Sequence, residues 1–238
     1  MKMFQKIWKP VVGLLIVFLL QGYSLTADEV TNDALKPYFA PAKSTPLATD
    51  ADGFLQRWLL LEPIEKPNRT NTVFVDSYLR EHLTKEYFPK QFTVMPKDGD
   101  KITVEGKELK WHALDAQNFN VKLFRFAAGL EKPIYGVLFY AITVVDCPEE
   151  MKNVRMAVGS NSASMWWLNG QEAVILSGDR RMVMDDCVSK RLTLKKGANI
   201  IRGMVINGPG MSDFCVRFID EKGNPVKNIK VDFAAYKK

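Results

Sequence analysis

Cysteine and histidine are scarce. The chain of 238 residues carries three cysteines (Cys147, Cys187 and Cys215) and two histidines (His82 and His112). No two cysteines stand in a CxxC spacing, which removes the framework of a zinc site or a dithiol redox motif. With an odd number at most one intramolecular disulfide can form, and a free cysteine is usually a small buried hydrophobe. There is no Gly-x-Ser-x-Gly elbow to present a hydrolase nucleophile, no fixed-period repeat, and no block of Lys and Arg. The apolar run from Val11 to Leu20 falls short of the roughly 20 residues that span a bilayer.

That run is informative in another way. Lys2, Lys6 and Lys9 precede it and Ser24-Leu25-Thr26-Ala27 follows it, the pattern of a secretory signal peptide over residues 1–27. No cysteine near the cut suggests a lipid anchor. The segment holds three of the 33 basic residues and none of the 27 acidic ones, so its removal lowers the net charge from +6 to +3. The expectation is an exported protein, periplasmic or extracellular, with no membrane span after cleavage. A modest, dispersed charge on an exported chain argues against nucleic acid as partner.

Residues 28–52 contain Pro37, Pro41 and Pro46 with Ala, Ser and Thr, and are expected to form an extended or poorly ordered leader. The domain proper is expected from Gly53 to the end, residues 53–238. Phe54 to Leu61 reads as a buried strand stopped by Pro63. A helix is expected over Ser77 to Tyr87, with Asp76 or Ser77 as cap, Leu79, Leu83 and Tyr87 at four-residue spacing, and Pro89 beyond. Nearly everything after Pro89 reads as short strands, among them Gln91 to Met95, Leu109 to Leu114, Val121 to Phe126, Ile134 to Val145 and Ile200 to Asn207. In Met165 to Ile175, two apolar runs flank Asn169-Gly170. Positive φ at two consecutive positions suits Asn-Gly, so a two-residue hairpin is expected there, and a second hairpin-type turn at Lys195 to Asn199. About a dozen short strands with one helix specify an all-β sandwich.

The order Gly159-Ser160, Trp167-Leu168-Asn169-Gly170, a loop with Asp185 and Asp186, Leu192 to Asn199, a Val-rich strand ending at Asn207-Gly208, and Phe214 to Phe218 resembles the galactose-binding-like jelly-roll modules of Gram-negative polysaccharide degraders. These are attached to glycoside hydrolases and to proteins labelled acetylxylan esterase. The resemblance covers the last third of the chain. It implies a jelly-roll β-sandwich with one short helix and a carbohydrate-associated role. Asn161 and Ser162 stand where such modules often carry acids, and no esterase catalytic domain is present. Modules of this kind often bind a structural calcium, the one cofactor the resemblance allows. Asp50-Ala51-Asp52-Gly53 opens like a calcium loop but lacks the rest of the pattern.

Three functions follow as expectations. The first is a non-catalytic carbohydrate-binding or accessory module whose partner is a polysaccharide or oligosaccharide. Aromatic faces pack against the C–H faces of a pyranose while Asn, Asp or Arg bond its hydroxyls. Adjacent strand residues point to opposite faces, so one of Trp166 and Trp167 should leave the core. With Trp167 at the motif position, Trp166 is expected to stack on the ligand, with Trp111, Asn161, Asp179 and Arg180 completing the site. The second is a structural or protein-interaction sandwich docking to an envelope or enzyme partner. The third is a small carbohydrate esterase, which needs Ser160 and His112 to meet as nucleophile and base. No catalytic residue is assigned.

Overall fold

In the computed structural model, which describes residues 33–237, a helical stretch at residues 33–35 is followed by fourteen strands and two further α-helices. They are β1 (Phe39–Pro41), β2 (Leu47–Ala48), β3 (Arg57–Glu65), α1 (Asp76–Leu83), β4 (Lys101–Val104), β5 (Lys107–Ala116), α2 (Leu123–Gly129) and β6 (Val137–Cys147). Then come β7 (Met151–Asn161), β8 (Ala163–Leu168), β9 (Gln171–Leu176), β10 (Cys187–Val188), β11 (Leu192–Leu194), β12 (Gly197–Asn207), β13 (Asp213–Ile219) and β14 (Lys230–Val231). The expected signal peptide, residues 1–27, lies outside the described residues. Among the described residues no helix is long and apolar enough to cross a membrane.

Two antiparallel sheets make the all-β sandwich. The larger runs β1-β5-β3-β6-β12-β8-β9, with β4 paired to β5 and β14 paired to both β2 and β6. In the smaller, β7 has β13 on one side and β10 and β11 on the other. The long apolar runs become the centre of the larger sheet because their backbone groups must all be paired once water is excluded. Thus β6 and β12 match along their whole length, from Val137↔Asn207 to Cys147↔Gly197.

The larger sheet is buried on both faces, so its central strands read as unbroken apolar runs, not alternating ones. Its inner face meets the smaller sheet around Trp58, Trp166 and Phe214. Trp58 and Phe214 lie edge to face with ring centroids 4.9 Å apart, and Trp166 sits 4.8 Å from Phe214. The outer face carries Leu61, Trp111, Tyr140, Trp167 and Met204, covered by α1 and by residues 84–98.

The Asn-Gly turn forms as expected: Asn169 and Gly170 have φ of 51° and 83°. The Asn169 side chain also fastens the neighbouring strand, accepting from the Ile200 N–H at 2.8 Å and donating to the Asn199 Oδ1 at 3.0 Å. Asn199 in turn donates to the Lys195 and Gly197 carbonyls. The Lys195-to-Asn199 turn is not a hairpin, however. It carries the chain from β11 in the smaller sheet to β12 in the larger.

Four other expectations change. Gln91 to Met95 is not a strand: it lies on the face of the larger sheet, where no ladder edge is available, and Lys90 at φ 62° turns the chain across it. Val121 to Phe126 is mostly helix, since Leu123, Phe126 and Ala127 bury one helical face that β-rich composition disguised. Pro63 does not end β3; the register of β3 on β6 shifts between Leu61 and Ile64, so Glu62-Pro63 occupies a bulge that needs no proline N–H. The described part of the expected leader, residues 33–52, is packed, not loose: a helical stretch at 33–35 leads into β1 on β5 and β2 on β14, with Leu35 and Phe39 in the inner core.

At the centre of the larger sheet, Gly203 faces Trp166 across the β12–β8 ladder. A Cβ on Gly203 would come within 2.2 Å of the Trp166 ring, so this position admits only hydrogen. Gly203→Ala is expected to lose about 1–3 kcal/mol through overpacking, read as a lowered urea midpoint at unchanged m-value. Trp166→Ala should lose about 3–5 kcal/mol.

Candidate functional site

The five residues expected to form the site do not come together. Trp166 and Trp111 are both fully buried, on opposite faces of the larger sheet. Trp166 packs on Trp58 and Phe214, and its indole N–H donates to Ser164 Oγ at 2.9 Å. Trp111 packs on Phe88 and Tyr140. Neither can stack on a ligand, because a sheet covered on both faces hides both neighbours of an adjacent pair. Asn161, Asp179 and Arg180 do gather at one end of the sandwich. There Asp179 accepts from Asn71 at 2.8 Å, Arg180 pairs with Asp186, and the Ser162 N–H meets the Arg180 carbonyl. These bonds hold loops together.

The esterase arrangement is likewise not assembled. Ser160 is buried and its hydroxyl donates to the Ser162 carbonyl at 2.9 Å. His112 lies in another sheet, its Nε2 3.3 Å from Glu62 and its ring against Phe126. Lys132 approaches the second oxygen of Glu62 at 2.9 Å. Among the described residues no group of three or more His, Cys, Asp and Glu is placed to hold a metal ion. The Asp50 carboxylate, at the calcium-like stretch, is occupied as a turn cap for the N–H groups of Asp52 and Phe54. Cys147, Cys187 and Cys215 are unbridged, and burial pushes the Cys147 and Cys215 thiols up to about 11 and about 12.

Two of the cavities among the described residues open on the outer side of the larger sheet. One of about 520 Å³ lies over Leu59 and Ala113, beneath Met95, Pro96, Phe233 and Tyr236. No residue lining it has a buried polar atom without a partner. The other, about 230 Å³, is lined by Thr84, Phe92, Trp167, Gly170 and Arg202. Here the second tryptophan of the pair reappears. Trp167 is 8% exposed, and the Phe92 ring leans on it at 5.7 Å between centroids and 62°.

The local fold explains why these groups meet. In the β12–β8 ladder, Arg202 stands directly opposite Trp167, one position from the Gly203–Trp166 pair that points inward. The Asn169-Gly170 turn fixes that register, and the 84–98 segment brings Phe92 over the indole. Arg202 is 4% exposed; one terminal nitrogen donates to the Val94 carbonyl at 2.7 Å, and its Nε–H has no partner. Nearby Tyr140 donates to the Gln91 carbonyl at 2.6 Å; burial raises its pKa, against the opposing effect of Arg202. The cavity is therefore lined by two aromatic side chains and by Arg202, a fixed positive charge whose buried Nε–H is unpaired.

Sequence reasoning gave the motif position to Trp167 and the ligand-facing role to Trp166, and did not single out Phe92 or Arg202. One signal was available for Arg202: it is a lone charge inside Ile200-Ile201-Arg202-Gly203-Met204-Val205-Ile206. Phe92 had none, because it reaches the site from a segment without regular structure.

No family model matches the sequence, and no curated protein matches it. Among solved structures, the chain is similar to a PA14 sugar-binding domain from an RTX adhesin, with 9% identity and a TM-score of 0.41 over 73% of this chain and 95% of that one. It is also similar to the PA14 domain of the antifreeze protein MpAFP, with 11% identity and a TM-score of 0.41 over 82% and 93%. A β-glucosidase from Kluyveromyces marxianus matches with 16% identity and a TM-score of 0.35 over 55% of this chain and 16% of that one.

The Glu62 cluster generates a pH prediction. Burial pushes its carboxyl up, but hydrogen bonds and charge from His112 and Lys132 outweigh that and bring it from 4.5 down to about 2. A depressed carboxyl stabilises the fold above its unfolded value and stops doing so as pH falls toward the folded one. Between about pH 4.5 and 2, wild type should lose stability more steeply than Glu62→Gln, measured as urea midpoints across that range.

Proposed function

We propose that this protein is an exported, non-catalytic carbohydrate-binding module, accessory to polysaccharide breakdown, that holds a sugar unit in the Trp167–Phe92–Arg202 cavity. One observation carries this reading: an aromatic-walled cavity sized for a single ring contains a buried guanidinium with an N–H left unpaired. Aromatic faces attract the C–H face of a pyranose, and a buried donor left without a partner costs roughly 1–3 kcal/mol until something accepts from it. A ligand hydroxyl or ring oxygen does so. Export rests on the signal-like segment at residues 1–27, and the link to polysaccharide breakdown on the resemblance of Asn153 to Ile219 to modules of such systems. A second reading, a sandwich that docks to a protein of the envelope, is favoured by Val183 and Met184. Both are more than half exposed, on the segment laid across the smaller sheet.

The test is retention of the purified protein on a panel of soluble and insoluble polysaccharides, with Phe92→Ala and Trp166→Phe alongside. Wild type should be retained by at least one polymer, and Phe92→Ala should bind about tenfold more weakly while still melting cooperatively. Trp166→Phe, altered on the opposite face of the sheet, should bind like wild type. Equal retention of wild type and Phe92→Ala, or no retention by any polymer, would overturn the assignment.

A further inference from the structure

We infer that the sugar unit bound in this cavity is anionic, a uronate or a sulfate ester, and that its charged group pairs with Arg202. The inference rests on the carbohydrate reading and narrows it. Its basis is a comparison within the molecule. Four charged residues are buried among the described ones: Arg57, Glu62, Arg202 and Asp213. Arg57 grips Asp115 through two bonds of 2.7 and 2.9 Å. Glu62 lies between His112 and Lys132, and Asp213 accepts from Lys122 at 3.1 Å and Asn120 at 2.7 Å. Arg202 alone has no opposite charge within ion-pair distance among the described residues.

A guanidinium keeps its proton in proteins, so Arg202 cannot relieve its burial by becoming neutral. A buried charge without a counter-ion is strongly unfavourable, and the other three buried charges show how this fold ordinarily removes that cost. The acid across the β8–β9 ladder from Trp167 is Glu172, and both of its oxygens are taken by Arg80, at 2.5 and 2.8 Å. No acid of the fold therefore balances Arg202, and the cavity that Arg202 lines is the space beside it in which an anion would sit. The geometry suits a planar or tetrahedral oxyanion. The Nε–H is free, one terminal nitrogen is already steadied on Val94, and the aromatic walls stand beside the guanidinium to hold a ring.

The deciding experiment is calorimetric titration of the whole protein with methyl galactoside, methyl galacturonide and galactose 6-sulfate, and with the gluco counterparts, at low and at moderate salt. At least one anionic sugar should bind tenfold or more tightly than its neutral counterpart, and the preference should shrink at higher salt. In Arg202→Gln the preference should disappear, with Arg202→Lys intermediate. The rise in wild-type melting temperature with each sugar gives the same ranking without relying on a variant. The uronate and sulfate arms identify which anion the site takes. Neutral sugars bound as tightly as anionic ones would overturn the inference and leave the carbohydrate reading standing. No binding of any sugar in the panel, on a protein that binds no polysaccharide either, would overturn both.

Discussion

Covering both faces of one sheet is the constraint from which the rest of this molecule follows. The larger sheet is flanked by the smaller sheet on one side and by α1 with the 84–98 segment on the other, so its strands bury residues of both parities. Six consecutive residues of β8 are buried. Register is then fixed twice over, because a slip by one position would exchange two complete sets of packed side chains. The Trp166–Gly203 and Trp167–Arg202 pairs show the consequence. The first needs a residue without a side chain opposite an indole, and the second places a charge opposite its neighbour. Exchanging the faces would drive Arg202 into the aromatic cluster of Trp58 and Phe214.

Much of this architecture was legible in the residues. The Asn169-Gly170 hairpin, the long runs that became β6 and β12, the α1 segment and the all-β class all follow from turn chemistry and periodicity. What could not be read has a common physical origin. Pro63, the β-rich stretch that became α2, and the packed segment from Leu35 to Ala48 each depend on partners far away in sequence. A proline is tolerated in β3 because the β6 register shifts there, and β2 is ordered because β14 lies beside it. Local preference carries no information about such partners.

The candidate site was half legible for a related reason. The argument that Trp166 and Trp167 must face opposite ways was sound, since one belongs to the inner core and the other to the outer. Its extension, that one of them must meet solvent, assumed a sheet with a wet face. Alternation tells which side of a strand a residue occupies, never what covers that side. Asn161, Asp179 and Arg180, expected to complete the site, lie at one end of the sandwich, where Asp179 bonds Asn71 and Arg180 bonds Ser177 and Asp186 within its own loop. Arg202 was hidden because a charge in the middle of an apolar strand looks like an exposed alternating position until the second covering layer is seen.

The clasp between β2 and β14 links the beginning of the described chain to its end. β14 also pairs with β6 at Val145 and Asp146, beyond the start of β3, so three segments remote in sequence share one corner of the larger sheet. Closing such a loop requires nearly all of the described residues to be available, and long-range pairing of this kind slows folding relative to local hairpins. During synthesis, the Asn-Gly hairpin and the β6–β12 ladder can assemble while that corner still waits for its last strand. The larger sheet thus keeps one seam unpaired until β14 arrives, long after the strand it joins has been made.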